Sequence, residues 1–151
     1  MAHIHEKIDF TVEVCIVYKN KVLLRRHDKY NLWLSVGGHI DLGEDPNEAA
    51  VREVKEEVGL DVQLMDTRGI RPDTNDYREL IPPVFLNRHR ISATHEHVSM
   101  TYFATSESDH VVPEYESDRS DEWRWVSKEE LAEMDLQPHV RAYVERALDE
   151  L

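Results

Sequence analysis

The stretch that decides the fold is GHIDLGEDPNEAAVREVKEEVGL, residues 38–60. Its second half predicts a helix over residues 46–58, with Asp45 as N-cap and Glu48 three residues later completing a capping box. Proline stands at the first helical position, which suits its fixed backbone angle, and Gly59 suits a left-handed C-cap. Both ends of this helix can therefore be predicted from local sequence.

Three glutamates of this helix share one face. Glu53, Glu56 and Glu57 stand at positions i, i+3 and i+4, which a helix brings to one side. Like charges this close repel one another, and a hard divalent cation such as Mg²⁺ relieves the repulsion because it prefers carboxylate oxygens. Arg52 lies four residues before Glu56 and can brace a ligating carboxylate. The helix therefore predicts a metal site with an arginine beside it.

The spacing of these residues resembles the Nudix box, G-x5-E-x7-R-E-U-x-E-E-x-G-U, in which U is an aliphatic residue. Every fixed position matches: Gly38, Glu44, Arg52, Glu53, Val54, Glu56, Glu57, Gly59 and Leu60. We call residues 38–60 the box. The resemblance implies the Nudix fold, an α/β/α sandwich with a mixed β-sheet between helices, as a single domain over residues 1–151. One departure is Val36, where many members carry proline.

The resemblance also implies an activity, which is metal-dependent hydrolysis of a nucleoside diphosphate linked to another group. Glu53, Glu56 and Glu57 would hold Mg²⁺, with Mn²⁺ as an alternative ion, and Gly38 would belong to the loop that shapes the metal site. Arg52 would orient a glutamate, so the candidate catalytic residues are Glu57, Arg52 and Glu56. Candidate substrates are nucleoside triphosphates, dinucleoside polyphosphates and ADP-ribose, and the sequence does not rank them firmly.

The general base is open between the box and a later segment. Glu57 is the first choice, because some members of the family use a box glutamate. Other members use a late glutamate, and the candidates here, each more often a solvated surface residue, are Glu96, Glu114, Glu116 and Glu122. Glu44 fits equally a metal role and a loop carboxylate paired with the helix N-terminus.

Four residues are candidates for substrate binding. Arg88 and Arg90 form a basic island that could hold phosphates through forked contacts, although ion pairing at the surface is the commoner role. Tyr77 lies in the window where dinucleoside polyphosphate hydrolases of the family often carry a tyrosine. Glu122, with Asp121 before it, lies where some members acting on nucleoside triphosphates place residues that read the base.

Two histidines alternate along a predicted strand. His95 and His97 would lie on one face of that strand and could bind zinc. No further ligand stands at a suitable spacing in the sequence, which favours ordinary strand histidines. Cys15, the only cysteine, lies in the apolar run EVCIVY and is predicted to be a small core residue.

The composition of the chain limits which classes of partner and which cellular compartment we expect. The chain carries 31 acidic and 18 basic residues, a net charge of −13. An acidic surface repels a nucleic acid polymer, so a small nucleotide substrate is favoured. No apolar run reaches the length of a membrane helix, and with one cysteine and no secretory signal we expect a cytoplasmic protein with no membrane partner. A homodimer, which is common in the family, remains open.

Strands and helices are predicted to alternate along the chain. A hairpin with a Lys19-Asn20 turn is expected first, and the stretch 71–94 shows no clear periodicity. The predicted strands are 10–18, 21–27, 61–70, 97–105 and 123–126, and 33–40 is expected to be a short extended piece that leads into the box. An acidic loop is expected over 106–121, a second capping box at Ser127 and Glu130, and a last helix over 138–149.

Two readings compete with the hydrolase. One is a non-catalytic Nudix-fold sensor that binds a nucleotide without turnover, which would not need Arg52 and all three box glutamates. The other is the isomerase branch of the superfamily, which acts on isoprenoid diphosphates through a catalytic cysteine. Cys15, in a strand predicted to be buried, is badly placed for that role.

Overall fold

The computed structural model describes residues 5–27, 31–66, 69, 71–114 and 122–151. Eight strands form one sheet: β1 (Ile8–Tyr18), β2 (Lys21–His27), β3 (Leu32–Leu34), β4 (Val36–His39), β5 (Val62–Leu64), β6 (Phe85–Arg90), β7 (Glu96–Ser106) and β8 (Glu122–Ser127). The helices are α1 (Pro46–Val58), α2 (Lys128–Leu131) and α3 (Pro138–Glu150). None of the helices within the described ranges is long and apolar enough to span a membrane.

The sheet is mixed and is built around β1. β1 runs parallel to β7 along most of its length, and on its other side it pairs antiparallel with β4 and then with β2. β6 and β5 continue the sheet beyond β7, while β3 and β8 pair with β2. The predicted hairpin is confirmed, because Lys19 and Asn20 both have positive φ, 46° and 63°, as a tight two-residue turn requires.

Alternation along β1 supplies the two hydrophobic cores. Val14 and Ile16 face α1 and pack against Val54 and Val58 in one core. The residues that alternate with them along β1, such as Cys15 and Val17, face the opposite side of the sheet and pack with α3. This second core also includes Phe103, Val140 and Val144. Helices therefore cover both faces, and the expected α/β/α sandwich is confirmed, as is the fully buried position of Cys15.

Helix α1 begins and ends at the predicted residues. The Asp45 carboxylate accepts a hydrogen bond from the Glu48 N–H at 2.8 Å, and the Asp45 N–H donates to the Glu48 carboxylate at 3.3 Å, which completes the capping box. Gly59 closes the helix with a φ of 71°, in the left-handed region that favours glycine. A Cβ at Gly59 would lie 2.3 Å from the Val112 carbonyl oxygen, so the close approach of the segment after β7 also requires glycine at this position.

Other predictions were wrong in part. The strand expected over 61–70 is limited to Val62–Leu64, and Thr67, Arg68 and Ile70 lie outside the described residues. The aperiodic stretch 71–94 contains β6, which has polar residues on both faces and exists because β7 pairs with it. At Ser127 only half of the capping box forms, since its hydroxyl accepts from the Glu130 N–H and α2 is a single turn.

The segment before β6 is fastened to the start of α1. The Asn47 side chain donates to the Ile81 carbonyl at 3.0 Å and accepts from the Ile81 N–H at 2.8 Å. This pair of bonds imitates one rung of a β-ladder between a side chain and a backbone. The long connection between β5 and β6 is therefore held at the N-terminal end of α1.

Glu13 gives the stability of the fold a predictable pH dependence. It is partly buried on the α3 side of β1, and this burial raises its pKa, although hydrogen bonds from Ser35 and Thr101 act in the opposite direction. A raised pKa in the folded state means full stability below the ordinary value of 4.5, where both states are protonated, and a loss of stability as pH rises through the folded pKa. Glu13→Gln should abolish that loss.

Urea denaturation from about pH 4 to about pH 9 checks this expectation. Glu133→Gln, at an exposed position, is the control and should follow the wild-type curve. If the free energies of unfolding of the wild type and of Glu13→Gln differ by a constant amount over the whole pH range, the predicted role of Glu13 is contradicted.

Candidate active site

The guanidinium of Arg52 is the centre of the box. Its Nη1 lies 3.1 Å from Glu53 Oε1 and 3.1 Å from Glu56 Oε2. Its Nε and Nη2 donate to the two carboxylate oxygens of Glu44 at 3.0 and 2.6 Å. Its Nη2 also donates to the His39 carbonyl at 2.9 Å. One side chain thus joins the loop before α1 to two acidic residues of the helix.

Glu44 is held as the forked partner of Arg52. The hydrogen bonds from Arg52 lower the pKa of Glu44, and a further bond from the Asp41 N–H at 2.8 Å acts in the same direction. Charge-assisted forked pairs of this kind are strong and directional. Both carboxylate oxygens of Glu44 bind Arg52, so Glu44 braces the guanidinium from the loop side.

Glu53 is the most enclosed of the box glutamates, with 5% of its surface exposed. This burial raises the pKa of Glu53 to about 7, although Arg52 beside it acts in the opposite direction. Gly38 makes the enclosure possible, because a Cβ at that position would lie 2.4 Å from the Glu53 carboxylate. The loop at Gly38 can therefore approach the carboxylate only with glycine, and a buried carboxylate gains from a nearby cation.

Glu57 has different partners. Its Oε1 lies 3.2 Å from Arg25 Nη1, and its Oε2 accepts a hydrogen bond from the Gly37 N–H at 3.2 Å. Arg25 was not singled out from the sequence, although it alternates with the core residue Leu23 on β2 and therefore faces α1. The guanidinium of Arg25 also lies 5.7 Å from the ring centroid of Trp123. The three glutamates on this face of α1, Glu53, Glu56 and Glu57, are thus shared between two arginines.

The donor set of the box suits a hard divalent ion. Three carboxylates on one helix, close to a loop that can offer backbone carbonyls, are the oxygen ligands that Mg²⁺ prefers. By their chemistry, Glu53, Glu56, Glu57 and the backbone at Gly38 are the groups that could hold the metal. Within the described ranges, the oxygens of the three carboxylates do not all lie within 4.8 Å of one another.

Of the late glutamates that the structure describes, Glu114 is the one whose backbone is hydrogen-bonded to the box. The Glu114 N–H donates to the Glu56 carbonyl at 2.9 Å, and the Val112 N–H donates to the Val58 carbonyl at 2.9 Å, so the chain after β7 runs along the end of α1. Glu122 lies 3.6 Å from Arg26. Glu116 and Asp121 lie outside the described residues.

Three of the predicted substrate-binding residues lie on β6 or in the segment before it. Arg88 on β6 makes forked hydrogen bonds of 2.8 and 2.9 Å with Glu96 on β7, which is the ion-pairing role considered above. Arg90, two residues further along β6, is exposed. Tyr77 is 57% exposed in the segment between β5 and β6. Arg88 and Arg90 share the sheet face that α1 covers, because alternate residues of a strand point the same way.

Comparison with known proteins agrees with this geometry. A family model described as NUDIX domain matches residues 10–147. An RNA pyrophosphohydrolase of Erythrobacter litoralis is 31% identical over 112 residues, which cover 71% of this chain and 67% of that protein. The dihydroneopterin triphosphate diphosphatase of Escherichia coli is 48% identical over 44 residues, which cover 29% of each protein. A solved hydrolase of the NUDIX family from Clostridium perfringens is 35% identical, with a TM-score of 0.82 over 94% of this chain and 97% of that chain.

Replacing Arg52 with lysine should separate its charge from its geometry. Arg52→Lys keeps a cation but cannot serve three glutamates at once, so we expect the free energy of unfolding to fall by about 1.5–3 kcal/mol, as for lost hydrogen bonds to charged groups. Arg146→Lys is the matched control, because Arg146 pairs with Glu150 at 2.8 Å on the surface. Its effect should stay within about 0.5 kcal/mol. Equal effects of the two changes in chemical denaturation would contradict the central role of Arg52.

Proposed function

Because the chain belongs to the NUDIX domain family, we propose that it is a Mg²⁺-dependent hydrolase that cleaves the pyrophosphate linkage of a nucleoside diphosphate joined to another group. The observation that carries this proposal is the set of three carboxylates on α1, two of them held 3.1 Å from the guanidinium of Arg52. A helix that served only as a solvated face would have no need to bury Glu53 beside Gly38.

Each residue of the box has a proposed task. Glu53, Glu56 and Glu57 hold the metal with the backbone at Gly38, and Arg52 keeps two of these carboxylates in position. When bound, the ion supplies positive charge for the phosphates and lowers the pKa of an attacking water. The carboxylate that takes the proton of that water must be ionised and close to it.

Glu57 is the preferred general base. Its two oxygens are directed by Arg25 and by the Gly37 N–H, so it has a fixed orientation and a neighbouring positive charge. Its rival is Glu114, which is exposed and whose backbone is anchored to α1 at Glu56. The rival would act from a loop rather than from the helix itself.

Two substitutions distinguish these bases. If Glu57 is the base, Glu57→Gln should lower kcat by about 10²–10⁴-fold at saturating metal, whereas Glu114→Gln should stay near the wild type. The comparison is made over a range of Mg²⁺ concentrations, so that weaker metal binding is recognised as a loss that more metal restores. A collapse in Glu114→Gln with an active Glu57→Gln would move the base to the loop.

The proposed substrate class is a small nucleotide with a di- or triphosphate chain. The named relatives are an RNA pyrophosphohydrolase and a dihydroneopterin triphosphate diphosphatase, which favours a phosphate chain as the shared feature of the substrates. The net charge of −13 argues against a long RNA, because each phosphate of a polymer adds repulsion. Arg88, Arg90, Tyr77 and Glu122 are proposed to contact parts of the substrate beyond the metal.

The test is release of phosphate and nucleotide from a panel of compounds with Mg²⁺ or Mn²⁺. The panel holds nucleoside triphosphates, dinucleoside polyphosphates, ADP-ribose, a pterin triphosphate and a 5′-triphosphate RNA. We expect metal-dependent turnover that falls at least about 100-fold in Glu56→Gln, since a metal contributes several kcal/mol to catalysis. Glu48→Gln, on the same helix, is the matched control, because glutamine also completes a capping box.

The outcome separates the enzyme from the alternative. Tight binding of one compound without turnover in the wild type would support a nucleotide-binding sensor and remove the catalytic tasks given above. Turnover that survives in Glu56→Gln at the wild-type rate would place the chemistry elsewhere.

A further inference from the structure

A second group of metal-binding side chains lies outside the box. Asp9, His95 and His97 each offer a ligand atom, and these atoms all lie within 4.8 Å of one another. His39 joins them, since its Nε2 is 3.4 Å from Asp9 Oδ2 and its ring centroid is 5.0 Å from that of His97. The sequence favoured ordinary strand histidines because no further ligand stood nearby, and pairing between strands supplies two. β1 places Asp9 opposite His97 on β7.

This group lies on the face of the sheet that α3 covers. Asp9 alternates with Thr11, Glu13 and Cys15 along β1, and Cys15 packs in the α3 core. Along β4, Gly38 approaches Glu53 of α1, so the side chain of the next residue, His39, points to the opposite face. The sheet therefore separates the group from the box glutamates.

Two of the separations in this group match those of a tetrahedral zinc site. Asp9 Oδ2 lies 3.3 Å from His95 Nε2 and 3.4 Å from His39 Nε2. Two ligands about 2.0–2.1 Å from a tetrahedral zinc ion lie about 3.3 Å apart, so these pairs already have the length of an edge of the tetrahedron. Imidazole with one carboxylate suits zinc and similar transition metals rather than Mg²⁺.

The tautomer of His95 is suited to metal binding. Its Nδ1 lies 2.9 Å from the Glu6 carbonyl oxygen, which can only accept, so Nδ1 carries the proton. In a neutral ring Nε2 then presents its lone pair towards Asp9, and two electron-rich atoms at this distance require a cation between them, either a proton or a metal ion. A backbone carbonyl that fixes a histidine ring in this way is the usual support of a zinc ligand.

Burial increases the need for that cation. Asp9 is 1% exposed, and the Nε2 atoms of His39, His95 and His97 are buried. An ionised carboxylate in such a place is costly unless positive charge lies close to it. A surface depression of about 540 Å³, lined in part by Lys7, Arg90 and His95, brings solvent to one member of the group, His95.

From these observations we propose that Asp9, His95 and His97, with His39 as fourth ligand, form a structural zinc site distinct from the box. The site joins the start of β1, the end of β4 and the start of β7. It also supports the box indirectly, because the backbone carbonyl of His39 accepts the hydrogen bond from Arg52 at 2.9 Å. Zinc would thus fix the residue at which the box loop leaves the sheet.

The test measures zinc on the purified protein rather than activity. After dialysis against a weak chelator, we expect one zinc per chain by elemental analysis and a rise in Tm when zinc is added back to stripped protein. His95→Gln and His97→Gln should weaken zinc binding at least about 100-fold, since loss of even an outer-shell partner costs 10–100-fold. Co²⁺ in place of zinc should give the intense visible absorption of a four-coordinate ion.

Two control variants locate the metal. His110→Gln removes an exposed histidine outside the group and should keep the zinc. Glu56→Gln alters the box and should also keep it, so that failure of the hydrolase proposal and failure of the zinc proposal are distinguishable. Circular dichroism of each variant confirms that zinc loss is not unfolding.

Three results would overturn the zinc site. Wild-type protein that neither retains zinc nor gains in Tm with it would make a proton the cation beside Asp9. Zinc retained in both His95→Gln and His97→Gln would exclude the group. Zinc lost in Glu56→Gln alone would place the ion at the box.

Discussion

The arrangement of the box depends on one cation among carboxylates. Arg52 contacts Glu44, Glu53 and Glu56, and without it these side chains would repel one another on a helix and loop only a few ångströms apart. The same guanidinium binds the backbone at His39, so it fixes the loop as well as the acids. Arginine suits this task because its planar fork can serve several oxygens at once.

The central strand β1 gives the two sides of the sheet different chemistry. Its residues that face α1 are apolar and support the helix that carries the box. Its residues that face α3 include Asp9 and Glu13, which are costly to bury and need partners from neighbouring strands. The box residues lie on the first side, and the proposed zinc site lies on the second.

Likeness to known proteins supports the fold more strongly than the substrate. The solved hydrolase from Clostridium perfringens covers nearly the whole chain, whereas the E. coli diphosphatase matches over 29% of this chain. Specificity in enzymes commonly lies in loops placed by a rigid scaffold, and the segment that carries the exposed Tyr77 between β5 and β6 is the part of this chain proposed for that role.

The sequence by itself determined the helix α1, its caps, the first hairpin and the residues of the box. All of these depend on contacts a few positions apart, which spacing and local propensity encode. Only the tertiary structure decided that Glu57 belongs with Arg25, that β6 is a strand, and that Asp9 and His39 lie beside His95 and His97. Those contacts join residues distant in sequence, and they depend on which strands become neighbours and on how α1 packs against the sheet, which no local pattern specifies.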